Sequence, residues 1–328
     1  PLYGEVTGDD DTLVSDKINV DKYIVNNRFR VIKKLGQGGM GEVLLAEDVK
    51  LKRKVAIKSI IKDNSDDSTK LRFLREAQTA SQLDHPNICT IYEIYEEENK
   101  SFIVMRYVDG VTLGQIIAMK RLNIDRILDI SIQVCKGMSE AHSKNIIHRD
   151  IKPGNIMVDQ KGVVKVLDFG LAKFSDPGMF KDSGEVNSNL TEKGFVLGTV
   201  AYISPEQARG KTLDQRSDIF SFGMVLYEML EGRNPFKKEE QIETLYNVLN
   251  KEIEFTADVP DELKRIVRKA MQKDRDARYP DFDSIAKDLE EFGKRFEKIK
   301  NRKTDGVNTE IINVKEQAVM MEQVQKTS

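Results

Sequence analysis

Between His148 and Gly170 the chain sets three oxygen-bearing side chains around one short apolar hairpin. The segment reads His148-Arg149-Asp150-Ile151-Lys152-Pro153-Gly154-Asn155, then two apolar runs, Ile156 to Val158 and Val163 to Leu167, then Asp168-Phe169-Gly170. One carboxylate can orient a hydroxyl, while the Asn155 carboxamide and the second carboxylate supply hard oxygen ligands for Mg²⁺ on a nucleotide triphosphate. The chemistry needs all three together. Either tripeptide alone, His-Arg-Asp or Asp-Phe-Gly, would carry little weight; the two at this spacing carry much more.

At 328 residues the chain has room for two lobes with substantial cores, since single cores stop growing at about 250 to 300 residues. Charged residues at 32% nearly cancel, to a formal net charge of -2, and the one basic cluster, Lys294 to Lys303, is interrupted by Glu297. That excludes the strongly basic face of a nucleic-acid binder. Cys89 and Cys135 lack metal-ligand spacing and read as buried, so a reducing compartment is expected, with the cytoplasm as the default. No run approaches the roughly 18 apolar residues of a membrane span. The chain opens on Pro1, so a longer parent with its own membrane attachment is left open.

Residues 1–27 are polar and acidic, with Asp9, Asp10 and Asp11 in a row, and read as a flexible leader. From Phe29 the pattern turns to β: Phe29 to Leu35, Glu42 to Glu47 and Lys54 to Ile60 are short runs rich in Val, Ile and Leu. A helix from about Ser68 to Leu83 faces this sheet with Leu71, Leu74 and Ala77, and strands follow near Ile88 to Tyr95 and Phe102 to Tyr107. After Gly110 the character becomes helical, with Ile127, Ile130, Val134 and Met138 on one face of a stretch from Ile124 to His142. A long polar segment follows Gly170. Helices are expected at Asp214 to Leu230, Glu239 to Leu249, Asp261 to Met271 and Phe282 to about Ile299. The domain spans 28–300, with a sheet lobe over 28–108 and a helical lobe over 109–300; residues 301–328 are a polar tail in which Val307 to Val324 could form a weak amphipathic helix.

Gly36-Gln37-Gly38-Gly39-Met40-Gly41 joins two strands, and its glycines let backbone N–H groups approach phosphates without interference from Cβ. Such a motif also marks dinucleotide folds, but those need a helix directly after it, and Glu42 to Glu47 reads as a strand. Val55-Ala56-Ile57-Lys58 puts a lysine on an apolar strand, where an unpaired ammonium is costly to bury. Nucleotide phosphates and Glu76 could serve as its partners.

With these residues assembled, the chain resembles a eukaryotic-type protein kinase domain of the serine/threonine class. The likeness runs from about Phe29 to about Phe292, and Gly-Gln-Gly-Gly-Met-Gly-Glu-Val and Ser-Pro-Glu-Gln-Ala-Arg-Gly give it a bacterial flavour. The resemblance implies an α+β, two-lobed fold: a small antiparallel sheet lobe with one main helix, and a larger, mainly helical lobe. It implies ATP and Mg²⁺. Leu35, Gly36, Gly38 and Gly41 would cover the nucleotide, Lys58 would contact its α and β phosphates, and Glu76 would hold Lys58. Val43, Ala56 and Met157 would sandwich the adenine, the backbone of Arg106 and Val108 would read its edge, and Met105 would stand behind them. Asp150 would be the catalytic base, Lys152 would steady the transferring group, and Asn155 and Asp168 would bind the metal. His148 would pack beneath Phe169, while His85 and His142 look structural.

Thr199 and Tyr202-Ile203-Ser204-Pro205-Glu206 resemble the segment that receives an acceptor peptide, and Lys152 points to serine and threonine rather than tyrosine. Glu206 with Arg278 resembles a buried ion pair, and Asp218 a carboxylate that accepts backbone N–H bonds from the His148 loop. Arg149 can pair with a phosphate on the segment after Asp168, with Thr191 the expected autophosphorylation site. The chain departs from the family at Thr112, where some members place an acid against the ribose, at Arg106 in the hinge, at Ser204 and at Gly154, which lacks an acid that holds a substrate arginine. The expected partners are proteins with serine or threonine acceptors, among them a second copy of the chain in a transient pair. The competing readings are a nucleotide-binding scaffold without turnover, against which the intact Lys58, Asp150, Asn155 and Asp168 argue, and a small-molecule phosphotransferase, which needs no peptide platform.

Overall fold

A computed structural model describes residues 23–24, 27–38, 41–61, 77–97, 100–120, 122–169 and 200–301. The described residues divide into two compact units. The first is a sheet in which β2 (Phe29–Gly38), β3 (Gly41–Asp48), β4 (Arg53–Ile61) and β6 (Lys100–Arg106) pair antiparallel in the order β2-β3-β4-β6. Two outer strands, β1 (Tyr23–Ile24) and β5 (Ile91–Glu97), complete the sheet order β1-β2-β3-β4-β6-β5. The alternation that identifies β4 is visible in its burial: Val55 and Ile57 are fully buried on one face, and Ala56 and Lys58 share the other. The pairing of β2 with β3 shifts register between Val31 and Lys33 and again between Lys34 and Gly36. Such bulges bend and twist a strand, here on the approach to the glycine turn.

Strand β1 falls inside the stretch read as leader. Tyr23 and Ile24 pair with Arg30 and Phe29, because β2 otherwise offers β1 a free edge. The Ile88 to Tyr95 run also differs from expectation: only its second half is strand, and Ile88 forms a single parallel bridge to Val166. Asn87 explains the difference. Its carbonyl accepts from Val166 N–H, Cys89 N–H donates to the Val166 carbonyl, and its side-chain amide reaches the Val164 carbonyl at 3.0 Å. Residues 77–94, including the helical residues 77–80 (α1), therefore cluster with the second unit, so the division between units runs through β5; the earlier part of the helix expected from about Ser68 lies outside the described residues.

That second unit holds a small sheet, β7 (Gly110–Thr112), β8 (Ile156–Asp159) and β9 (Val164–Val166), and most of the helices. The segment after Gly110 is thus a strand before it is a helix; Thr112 closes β7 and caps α2 (Leu113–Ala118) through a capping box with Gln115. Helix α3 (Ile124–Ser143) starts on the Asn123 cap and buries Ile127, Ile130, Val134 and Met138 as its periodicity requires. A short α4 (Pro205–Ala208) opens on a second capping box, Ser204 with Gln207. Helix α5 (Gln215–Glu231) is buried nearly all round, with Ile219, Phe220, Phe222, Met224, Val225, Leu226 and Tyr227 at the centre of the core. It ends at Gly232, whose φ of 74° is the left-handed cap glycine favours. Around it stand α6 (Gln241–Asn250), α7 (Asp261–Ala270) and α8, over residues 282–301. Cys89 and Cys135 are both buried, and burial pushes the Cys135 thiol well above its ordinary pKa. Among the described residues no helix is long and apolar enough to cross a membrane. The weak helix expected over 307–324 lies outside the described residues.

Candidate active site

The His148 loop hangs from a fully buried carboxylate. Asp218, in the first turn of α5, accepts His148 N–H at 2.7 Å on Oδ2 and Arg149 N–H at 2.8 Å on Oδ1. Arg149 sits at φ 66°, a left-handed conformation that non-glycine residues avoid, and Gln207 Nε2 holds its carbonyl at 2.9 Å. The ring of His148 is buried and has no proton to offer a substrate. Its Nδ1 accepts from Asp150 N–H at 3.2 Å, which leaves Nε2 to donate to the Leu167 carbonyl at 2.8 Å. The ring centroid lies 4.6 Å from that of Phe169, as the resemblance implied.

Beyond this turn, Asp150 is half-buried and gathers the other polar groups. Lys152 Nζ lies 2.7 Å from its Oδ2, and Asn155 Nδ2 donates to the same oxygen at 3.0 Å and to the Asp150 carbonyl at 2.9 Å. A 3₁₀ turn over Pro153–Asn155 brings Asn155 back to Asp150. Both amide hydrogens of Asn155 are spent on Asp150, so its carboxamide oxygen is the atom left to face a cation. The Asn155 carbonyl accepts Leu167 N–H at 2.8 Å, which ties the far end of the β8–β9 hairpin to the loop, one residue before Asp168. Asp168 has φ 53°, a second left-handed non-glycine residue. One carboxylate and one carboxamide oxygen suit Mg²⁺, which takes few protein ligands and fills its octahedron with water and phosphate oxygens. Among the described residues no cluster of three or more His, Cys, Asp or Glu stands ready to hold an ion by protein ligands alone.

In the sheet unit the nucleotide candidates share one face. Ala56 lies opposite Met105 of β6, and Lys58 lies opposite Val43 of β3. Ala56 and Met105 are each 8% exposed, whereas Lys58 and Val43 are half-buried. Gly38 pairs with Gly41 to close the β2–β3 hairpin, and Gly41 takes φ 141°, which only glycine adopts readily. A Cβ on Gly36 would meet nothing within 4 Å, so the protein's own packing does not demand glycine there. Leu35 and Arg106 are exposed, while Val108 and Met157, in the helical unit, are buried and half-buried. Glu76, Thr191 and Thr199 lie outside the described residues.

Around the acceptor segment, Glu206 and Arg278 form the expected buried pair: Nη1 to Oε1 at 2.8 Å and Nη2 to Oε2 at 2.9 Å, with Ser217 Oγ donating to Oε1 at 2.7 Å. Burial pushes the Glu206 carboxyl up, but Arg278 and Ser217 outweigh it and hold the group below the usual glutamate range. The Thr112 hydroxyl is taken up by its capping box, accepting from Gln115 N–H and bonding Gln115 Oε1 at 3.2 Å. Sequence reasoning passed over Gln207, detectable as the third position after Ser204 in a capping box, and read His142 only as structural; its Nε2 lies 2.8 Å from Asp218 Oδ2.

The family model for the protein kinase domain matches residues 29–288, which takes in both units and every one of these side chains. The chain belongs to the protein kinase domain family. Its kinase domain is 40% identical over 271 residues to the serine/threonine-protein kinase PrkC of Bacillus subtilis, covering 81% of this chain and 40% of that one. It is also 40% identical over 275 residues to the serine/threonine-protein kinase PknB of Mycolicibacterium smegmatis, covering 81% and 43%. A probable serine/threonine-protein kinase of Streptomyces coelicolor, SCO3848, is 39% identical over 277 residues, covering 81% and 40%. The chain thus spans about two-fifths of the length of the curated relatives it matches.

Proposed function

We propose that the chain is a protein serine/threonine kinase, transferring the γ-phosphoryl group of ATP to side-chain hydroxyls of proteins. The observation that carries the reading is the constellation on the Asp150 carboxylate: Lys152 at 2.7 Å and Asn155 at 3.0 Å, on a loop suspended from Asp218 and joined to Asp168 by the β8–β9 hairpin. Its likeness to relatives named serine/threonine-protein kinases supports the choice of acceptor.

Asp150 accepts the hydrogen bond of the incoming hydroxyl and points its oxygen at phosphorus. Lys152, already beside Asp150, offsets charge on the moving phosphoryl group, and Lys58 does the same on the α and β phosphates. The backbone around Gly36, Gly38 and Gly41 covers the phosphates, and Val43, Ala56, Met105 and Met157 enclose the base, with Leu35 above it and Arg106 and Val108 at its edge. Asn155 and Asp168 offer their oxygens to Mg²⁺, which when bound neutralises phosphate charge. Little covalent work falls to the protein, so the rate comes from positioning and electrostatics. Arg149 is the group we assign to a phosphorylated activation segment, with Thr191 as the acceptor and a second copy of the chain as donor enzyme; Glu76 partners Lys58, and Thr199 faces the acceptor peptide. Proteins are the partners, and nucleic acid is not.

The test is labelled ATP with Mg²⁺ and a mixed protein substrate, followed by identification of the labelled amino acids and mapping of Thr191. Phosphoserine and phosphothreonine are expected. Asp150→Asn is expected to keep nucleotide affinity while lowering transfer by about a hundred-fold or more. Equal rates in variant and parent, or no consumption of ATP with any protein acceptor, overturn the reading.

A further inference from the structure

Two carboxylates stand on or against the acceptor segment, Glu206 and Glu228, and both are already engaged. Glu206 is held by Arg278 and Ser217. Glu228, on α5, accepts the Tyr202 hydroxyl, and burial raises its carboxyl above the ordinary glutamate range although Tyr202 and Lys237 both act the other way. Gly154, on the Asp150 loop, offers no side chain, and a Cβ there would meet nothing within 4 Å. The Thr112 hydroxyl is bound inside its capping box. A cation on an acceptor protein therefore finds no open carboxylate at these positions.

Cations next to the same segment are open. Asn234, just past α5, joins the segment to the turn that precedes α6: its Nδ2 donates to the Ala201 carbonyl at 3.2 Å, while its Oδ1 accepts the N–H groups of Phe236 and Lys237, each at 2.9 Å. Phe236 seats that turn in the core, 1% exposed and stacked on Phe220 with ring centroids 6.4 Å apart. Lys238 N–H donates to Thr244 Oγ1 at 2.9 Å, so the backbone is fixed at both lysines. Both residues are exposed, and neither forms an ion pair among the described residues. The charge of Lys237 also reaches Glu228, the partner of Tyr202. Glu239 and Glu240 follow at the entry to α6 and are exposed as well, but of these four charged residues Lys237 is the one bonded through Asn234 to the acceptor segment. From this geometry we infer that Lys237, with Lys238 beside it, determines specificity, and that the favoured acceptor proteins carry glutamate or aspartate next to the residue that receives phosphate. A peptide carboxylate pairs there with an exposed ammonium, whereas a peptide lysine or arginine meets like charge beside carboxylates already spent. Exposed ion pairs are weak, so the result is a preference rather than a requirement. The inference rests on the kinase reading and deepens it by naming the substrate class.

Three threonine peptides test it, alike except that glutamates, alanines or lysines flank the acceptor. The measurements are kcat and KM for each peptide with ATP and Mg²⁺, and the Kd of analogues in which alanine replaces the threonine. For the parent, kcat/KM is expected to be about five-fold higher for the glutamate peptide than for the alanine peptide and about five-fold lower for the lysine peptide, a ranking carried by KM and shrinking at about 0.5 M salt. Lys237→Glu combined with Lys238→Glu is expected to invert the order, Lys237→Gln to flatten it, and Glu239→Gln to keep it. A parent that ranks the peptides equally or prefers lysine, a double variant that keeps the parent's order, or a Glu239→Gln effect as large as that of Lys237→Gln overturns the assignment. Where none of the peptides is phosphorylated, the Kd order of the analogues decides the specificity by itself, and only failure with every protein acceptor defeats the kinase reading.

Discussion

Glu206 illustrates how the worth of one side chain depends on its partner. Its carboxylate meets Arg278 through two parallel hydrogen bonds in a site where Arg278 also donates to the carbonyls of Arg216, Gln272 and Lys273. Removing one member of such a pair leaves the other buried and uncompensated, at a cost of about 3–5 kcal/mol. Glu206→Gln is expected to lose about 3 kcal/mol in urea unfolding at neutral pH, since the amide keeps one acceptor for Arg278. The acid limb carries the sign. Because the folded group lies below its ordinary value of 4.5, the pair's contribution is complete above that value and disappears as pH falls through the depressed folded one. The parent's stability should therefore drop more steeply than the variant's in that acid window, and parallel curves would contradict the linkage. This pair was legible from the chain because both residues lie in matching motifs. The long-range bonds of His142 and Gln207 were not: the capping box marks Gln207, but each side chain reaches a residue or carbonyl dozens of positions away, and no local spacing announces a bond that only the folded chain creates.

At the scale of elements, legibility followed length. Helices α3, α5, α6 and α7 and strands β2, β3 and β4 matched expectation to within a few residues, because each is long enough to repeat its period. The short pieces β1, β7, α2 and α4 show no period, and α2 and α4 could be found only through their capping boxes. One close approach between long elements is open to test. A Cβ on Gly223 of α5 would stand 2.7 Å from Met271 Cγ and 3.0 Å from Ala270 Cβ, at the end of α7. Helix propensity favours alanine over glycine by about 1 kcal/mol, but forced overpacking costs about 1–3 kcal/mol. Gly223→Ala is expected to be destabilising on balance, by up to about 2 kcal/mol in urea midpoint analysis. A more stable variant would mean that α5 and α7 separate more easily than their packing implies.

For the whole molecule, the α+β division of a sheet unit and a helical unit was readable from the change of pattern along the chain. The assignment of residues 77–94 was not, since it depends on Asn87 bonding β9 and the segment's own pattern gives no sign of it. Binding of nucleotide with its metal would make the stability of the whole molecule depend on a ligand. ATP at about 100 times its Kd adds about 2.7 kcal/mol to the stability of a protein that binds it only when folded. Chelation of Mg²⁺ is expected to abolish turnover and to remove most of that gain, read as a downward shift in Tm. Asp168→Asn should show a smaller metal-dependent part, and a gain that ignores chelation in the parent would separate nucleotide binding from these oxygens.

The buried cysteines have a practical consequence. Cys89 and Cys135 are the only two sulfhydryls in the chain, and both are hidden. A thiolate is the species that alkylating reagents attack, and burial suppresses it. Folded molecules therefore resist maleimide dyes while opened ones take them up, so the rate of labelling counts the fraction open at any moment. A single cysteine introduced at an exposed site such as Ser143 would carry a fluorophore there alone, beside the segment that leads into the His148 loop.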